Sequence, residues 1–148
     1  MKKVLIASDH AGFAGKEAIK TTLEQMGIVY EDRGTYTEDS VDYPDYAAEV
    51  ANAVARGEAE KGILVCGSGI GMEISANKVP GIRAALAWNE ETARLSRSHN
   101  DANILAVGYR TTPSETLEQI VRTFLTTDFE GGRHGRRIEK IANLEKQG

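Results

Sequence analysis

Five short apolar runs, each followed by a longer stretch at helical spacing, constrain the fold of this chain more than any other feature. The runs are Val4–Ala7, Ile28–Tyr30, Gly62–Cys66, Arg83–Trp88 and Ala102–Val107. Between them, apolar residues recur three and four apart over Phe13–Met26, Tyr46–Ala55, Ile70–Asn77, Glu91–Ser98 and Ser114–Leu125, and a last helix is expected over Gly135–Glu145. A continuous apolar run has no polar face, so such strands are buried on both sides. Strands of that kind, joined by helices, form a parallel sheet, and right-handed crossovers place helices on both of its faces. The pattern predicts an α/β fold: a three-layer α/β/α sandwich around a five-stranded parallel, doubly wound, Rossmann-like sheet. Residues 1–148 contain no linker, repeat or low-complexity tract and read as a single domain.

Charge and cysteine content narrow the function. The formal net charge of −4 weighs against nucleic acid as a partner, because phosphate backbones favour basic surfaces. It does not weigh against one small anion held in a local cationic pocket. Cys66 is the one cysteine, so neither an internal disulfide nor a cysteine-based zinc cluster can form. The apolar start of the chain is broken at Ser8, Asp9 and His10, too early for a signal-peptide core. No run approaches the ~18 apolar residues of a membrane span. The expectation is a cytoplasmic protein with no membrane partner.

In doubly wound sheets ligands bind at the carboxyl ends of the strands. Four polar or glycine-rich segments are expected there: Ser8–Gly12, Cys66–Gly71, Ser98–Asp101 and Gly108–Arg110. Gly67-Ser68-Gly69-Ile70-Gly71 joins a strand to a helix. It reads either as a tight turn or as a set of backbone amides facing an anion. It is neither a dinucleotide fingerprint, since Met72 stands where the last glycine would be, nor a P-loop, which ends in Gly-Lys-Ser/Thr. Cys66 immediately precedes it. A lone cysteine is often just a small buried hydrophobe, but a helix N-terminus favours a thiolate, which could serve as nucleophile or as proton-abstracting base. His10, His99 and His134 all lie off the apolar stripes, and His134 reads equally as a surface residue. A three-histidine metal site is disfavoured by the arginines beside His134, so no metal is expected. Gly131-Gly132-Arg133-His134-Gly135-Arg136-Arg137 reads either as a solvated basic face or as a phosphate clamp. Arg133 and Arg137, four apart on a helix, could share a face, whereas Arg136 would point elsewhere.

Taken together, SDHAGF (8–13), DYPDYA (42–47), GILVCGSGIGMEISANKVPGIRAAL (62–86), SRSHNDANILAVG (96–108) and FEGGRHGRR (129–137) resemble the ribose-5-phosphate isomerase B group, which includes allose-6-phosphate and galactose-6-phosphate isomerases. These stretches run in order over nearly the whole chain. The resemblance implies an aldose–ketose isomerisation through a cis-enediolate, with no cofactor. Cys66 would carry the proton between C2 and C1, and the amides of Gly67, Ser68, Gly69, Ile70 and Gly71 would hold the enediolate oxygens. Asp9 would move hydroxyl protons, His99 would act as acid in opening the furanose ring, and Ser68 would assist. His10, Arg133 and Arg137 would bind the phosphate, with Asn100 and Arg110 completing the pocket. The family's site forms between two subunits, which implies a homodimer or a dimer of dimers.

One branch of the family replaces the cysteine with a glutamate directly after the last loop glycine. Here that place is Met72, with Glu73 one residue later, so the chain resembles the cysteine branch. Ser68 stands where threonine is frequent. Trp88 and the residues after it differ from the usual pattern, which bears on the choice of sugar. The expected substrate pair is ribose 5-phosphate and ribulose 5-phosphate. A six-carbon sugar phosphate (allose or galactose 6-phosphate) is the alternative, and a non-catalytic sugar-phosphate sensor would need neither Cys66 nor His99.

Overall fold

The computed structural model describes residues 3–147. Its strands are β1 (Val4–Ser8), β2 (Tyr30–Asp32), β3 (Lys61–Cys66), β4 (Ala84–Leu86) and β5 (Ile104–Gly108). Its helices are α1 (Phe13–Gln25), α2 (Tyr43–Ala55), α3 (Ile70–Ala76), α4 (Glu90–Ser98), α5 (Ser114–Thr126) and α6 (Arg133–Glu145). All strand pairs are parallel, in the order β2-β1-β3-β5-β4. Alternate strand residues feed two cores. Val4, Ile6, Leu105 and Val107 meet Ile19 and Leu23 of α1 and Leu117 and Phe124 of α5. Leu5, Ala7, Ile104 and Ala106 meet Val50 and Val54 of α2 and Met72 of α3. The predicted three-layer α/β/α sandwich is therefore what the chain forms. No helix among the described residues is long and apolar enough to cross a membrane.

Most element boundaries move by a residue or more, among them the starts of β2, α2 and α6. β2 begins at Tyr30: Ile28 packs partly buried against the first of these cores just before the strand, whereas Val29 is 71% exposed. α2 begins at Tyr43, three residues early, because Pro44 fits the first helical turn, where its missing N–H costs nothing. α6 begins at Arg133, so both Arg133 and Arg137 are helical.

The placement of Ser98–Asp101 is corrected. A crossover helix runs antiparallel to the strands it joins, so the end of α4 lies at the amino edge of the sheet, not the carboxyl edge. Asn103 confirms it: its amide donates to the Arg83 carbonyl at 3.0 Å and its Oδ1 accepts from the Arg83 amide at 2.8 Å, just before β4 starts. The other three segments do lie at the carboxyl edge. β1 and β3 are neighbours there, and the chain leaves them in opposite directions, from β1 to β2 on one side and from β3 to β4 on the other. That switch point opens a crevice where ligands bind in such sheets.

Candidate active site

The crevice holds a cavity of about 570 Å³ lined by Asp9, His10, Cys66, Ser68, Tyr43 and Arg110, among others. β1 delivers Asp9, whose amide donates to the Val65 carbonyl at 3.2 Å, binding the ends of β1 and β3 together. Its Oδ1 accepts from the Gly12 amide at 2.9 Å, which fixes the carboxylate as the chain turns into α1. The next residue, His10, accepts the Val41 amide on Nδ1 at 3.1 Å, so a neutral ring carries its proton on Nε2.

Cys66 ends β3. It is only 5% exposed and touches the core, yet it lines the cavity. Its Sγ accepts the Gly69 amide at 3.1 Å. Gly69 reaches that position with φ +79°, and a Cβ there would stand 2.8 Å from the Val107 carbonyl carbon. Ser68 Oγ accepts from the Ile70 amide at 3.3 Å, satisfying one donor of the first turn of α3. The β5 end packs against this loop: the Tyr109 and Arg110 amides donate to the Cys66 and Gly67 carbonyls at 2.9 and 3.0 Å. Arg110 has no carboxylate partner among the described residues and lines the cavity beside Asp9 and His10, as a free cation available to an anion.

Glu73 is structural: its Oε2 accepts from the Leu86 amide at 2.6 Å, tying α3 to β4. Met72 is fully buried. Trp88 lines a separate cavity with Leu86, Leu95 and Ile141, away from Cys66 within the chain.

His99, Asn100, Arg133 and Arg137 do not line the Cys66 cavity of their own chain. β5, five residues long, separates the two edges of the sheet by about 16 Å at the usual strand rise. At the amino edge His99 caps α4 and stacks on His134, ring centroids 4.2 Å apart and planes 12° from parallel. His134 is buried, contrary to the surface reading. Its pKa is pushed below the ordinary histidine value, first by burial and then by the charges of His99 and Arg133, against the pull of Glu130. Glu130 escaped the sequence reading. Its Oε2 lies 3.8 Å from the Nε2 of each histidine. These three residues have ligand atoms within 4.8 Å of one another. Two stacked, nearly parallel imidazoles cannot both aim an in-plane lone pair at one ion, so the cluster is not shaped as a chelate.

Lys16 also escaped it. This fully buried lysine projects from α1 to both Asp32 oxygens, at 2.7 and 2.8 Å, and to the Thr35 carbonyl. Burial pushes the Asp32 carboxyl up, but Lys16, the Gly34 amide and Lys20 outweigh it and hold the pKa below the usual carboxylate value. Position 16 falls on the buried stripe with Ile19 and Leu23, which was the available signal.

Comparison with known proteins agrees with this architecture. Ribose-5-phosphate isomerase B of Escherichia coli is 45% identical over 99% of both chains. The structure of Clostridium thermocellum ribose-5-phosphate isomerase B superposes with a TM-score of 0.96 at 49% identity, covering 98% of each chain. Ribose-5-phosphate isomerase B of Mycoplasma genitalium, solved with ribulose-5-phosphate bound, superposes with a TM-score of 0.94 at 42% identity, covering 99% of this chain and 97% of the other. Residues 4–141 match the Ribose/Galactose Isomerase family, and with relatives of this identity spanning the whole fold, the chain belongs to that family.

Proposed function

We propose that this protein interconverts ribose 5-phosphate and ribulose 5-phosphate, with Cys66 as the base that moves a proton between C2 and C1. The observation that carries this reading is the Gly69 amide on the Cys66 sulfur, at 3.1 Å, on the wall of an open cavity. That bond holds the sulfur against the glycine loop, beside the space a substrate would occupy. The thiolate takes the C2 proton of the open aldose, and the electron pair moves through C1 to the carbonyl oxygen. The enediolate oxygens face the loop that starts at Gly67, where one well-placed donor is worth ~3–4 kcal/mol. The proton returns at C1 to give the ketose. Asp9, held by Gly12, shuttles the hydroxyl protons, and His10 and Arg110 meet the anionic end of the substrate.

The remaining residues act from a second subunit. His99, Asn100, Arg133 and Arg137 line the opposite edge of the sheet, and Arg133 and Arg137 have no ion-pair partner among the described residues. Tyr43, Ile70 and Ile74 leave the Cys66 cavity with an exposed apolar rim suited to a neighbouring chain. In a homodimer, His99 of one subunit opens the furanose ring in the site of the other, and its arginines hold the phosphate.

Initial rates with ribose 5-phosphate, allose 6-phosphate and galactose 6-phosphate test the assignment. A kcat/KM that is highest for the pentose supports it. Preference for a hexose phosphate replaces it with the six-carbon alternative.

A further inference from the structure

Ring opening needs a proton for the ring oxygen, and the stacked histidine pair at the end of α4 has to hold it. Two imidazoles stacked 4.2 Å apart cannot both be cationic without mutual repulsion, so a proton on the pair calls for an anion beside it. Glu130 is placed to supply it. Its amide donates to the Ser98 carbonyl at 3.0 Å, which fixes residue 130 beside the last turn of α4. Its carboxylate then sits 3.8 Å from the Nε2 of both His99 and His134. His134 is buried on the α6 side of the stack, whereas the His99 side chain keeps 39% of its surface open.

We propose that Glu130 is a positioning residue for ring opening: its carboxylate, anchored to the end of α4, draws the Nε2 edges of the histidine pair to one side and balances the charge when His99 acts as the acid. This rests on His99 being the ring-opening group. The step balances simply. The C1–O4 bond breaks with its electron pair on O4, O4 takes the His99 proton, the anomeric hydroxyl gives its proton to water, and the C1 carbonyl forms. His134 keeps the ring of His99 flat against it, and Arg133 and Arg137 remain for the phosphate.

Substrate choice separates this role from a merely structural one. Ribose 5-phosphate is mostly a closed furanose and must be opened. Ribulose 5-phosphate, with its C5 oxygen esterified, cannot close a five-membered ring. Glu130→Gln keeps the shape and the backbone bond, and should lower kcat for ribose 5-phosphate by ~10-fold or more with little change in KM, the usual cost of losing a partner that orients a functional histidine. At saturating ribulose 5-phosphate the kcat should stay within about twofold, since the aldehyde can leave open and close in solution without the ring-opening acid. Glu130→Asp should recover part of the loss. Equal losses in both directions, or none in either, overturn the proposal. His99→Asn is the reference: if it slows ribose 5-phosphate selectively while Glu130→Gln does nothing, Glu130 alone is misassigned. If His99→Asn itself shows no selectivity, the reading of His99 fails.

Discussion

The amide of Gly69 donates to the sulfur of Cys66 across 3.1 Å, so the loop that turns the chain into α3 also solvates the side chain that ends β3. Replacing that sulfur should therefore abolish proton transfer and spare the fold. Cys66→Ala is expected to reduce kcat by at least ~10²-fold, the lower range for losing a general base. The thermal transition should shift by only a few degrees, because one small side chain at the cavity wall is lost. Turnover near that of the unaltered enzyme would remove Cys66 from the mechanism.

The donor can be tested from the other side. Gly69 sits at φ +79°, and an added Cβ would press on the backbone of Val107 and on Leu86. Gly69→Ala should destabilise by about 1–3 kcal/mol from the left-handed backbone alone. The loop should shift to relieve the contact, lowering kcat even at temperatures where the protein stays folded. Urea unfolding and kcat measured on the same preparation check both parts.

Lys16 and Asp32 supply a stability prediction away from the chemistry. The lysine is fully buried and Asp32 partly exposed, and removing the lysine leaves the carboxylate only Lys20 and the Gly34 amide. Lys16→Met should cost about 3 kcal/mol by urea unfolding. The pH dependence has a definite sign. Asp32 has a folded-state pKa below its unfolded value, so its contribution is complete above the unfolded value and is lost as pH falls through the folded one. The unaltered protein should lose this increment below about pH 4. Lys16→Met should show a flatter stability profile in that range.

The sheet and the Cys66 loop were legible because both are written locally. An apolar run with no polar face is a doubly buried strand, and five residues rich in glycine after it can only turn. The α4 end was misplaced because spacing identifies a helix but not the edge at which it stops; the antiparallel course of a crossover does. The α2 start was missed since Tyr43-Pro44 interrupts the apolar pattern while fitting the first turn. Glu130 carried no signal, being one of 22 acidic residues with no distinguishing neighbours, and its role depends on a backbone bond to Ser98, 32 positions earlier. Lys16 shows the converse: a charged residue on an apolar stripe was visible, but only the fold supplies Asp32 to receive it.

The separation of the two residue groups makes the subunit arrangement testable without a structure of the assembly. Cys66 lies at the carboxyl edge of the sheet and His99 at the amino edge, so a site that needs both must draw them from two chains. Purified Cys66→Ala and His99→Asn proteins should each turn over ribose 5-phosphate poorly. After the two are mixed, unfolded and refolded together, half of the dimers should pair one chain of each kind. In such a dimer one site carries both defects and the other carries neither. Activity should then recover to about a quarter of the unaltered level, as expected for a two-fold dimer with composite sites. Recovery should scale with subunit exchange and be absent from proteins mixed without refolding. If activity stays at the sum of the two parents after full exchange, each chain completes its own site and the shared-site reading is wrong.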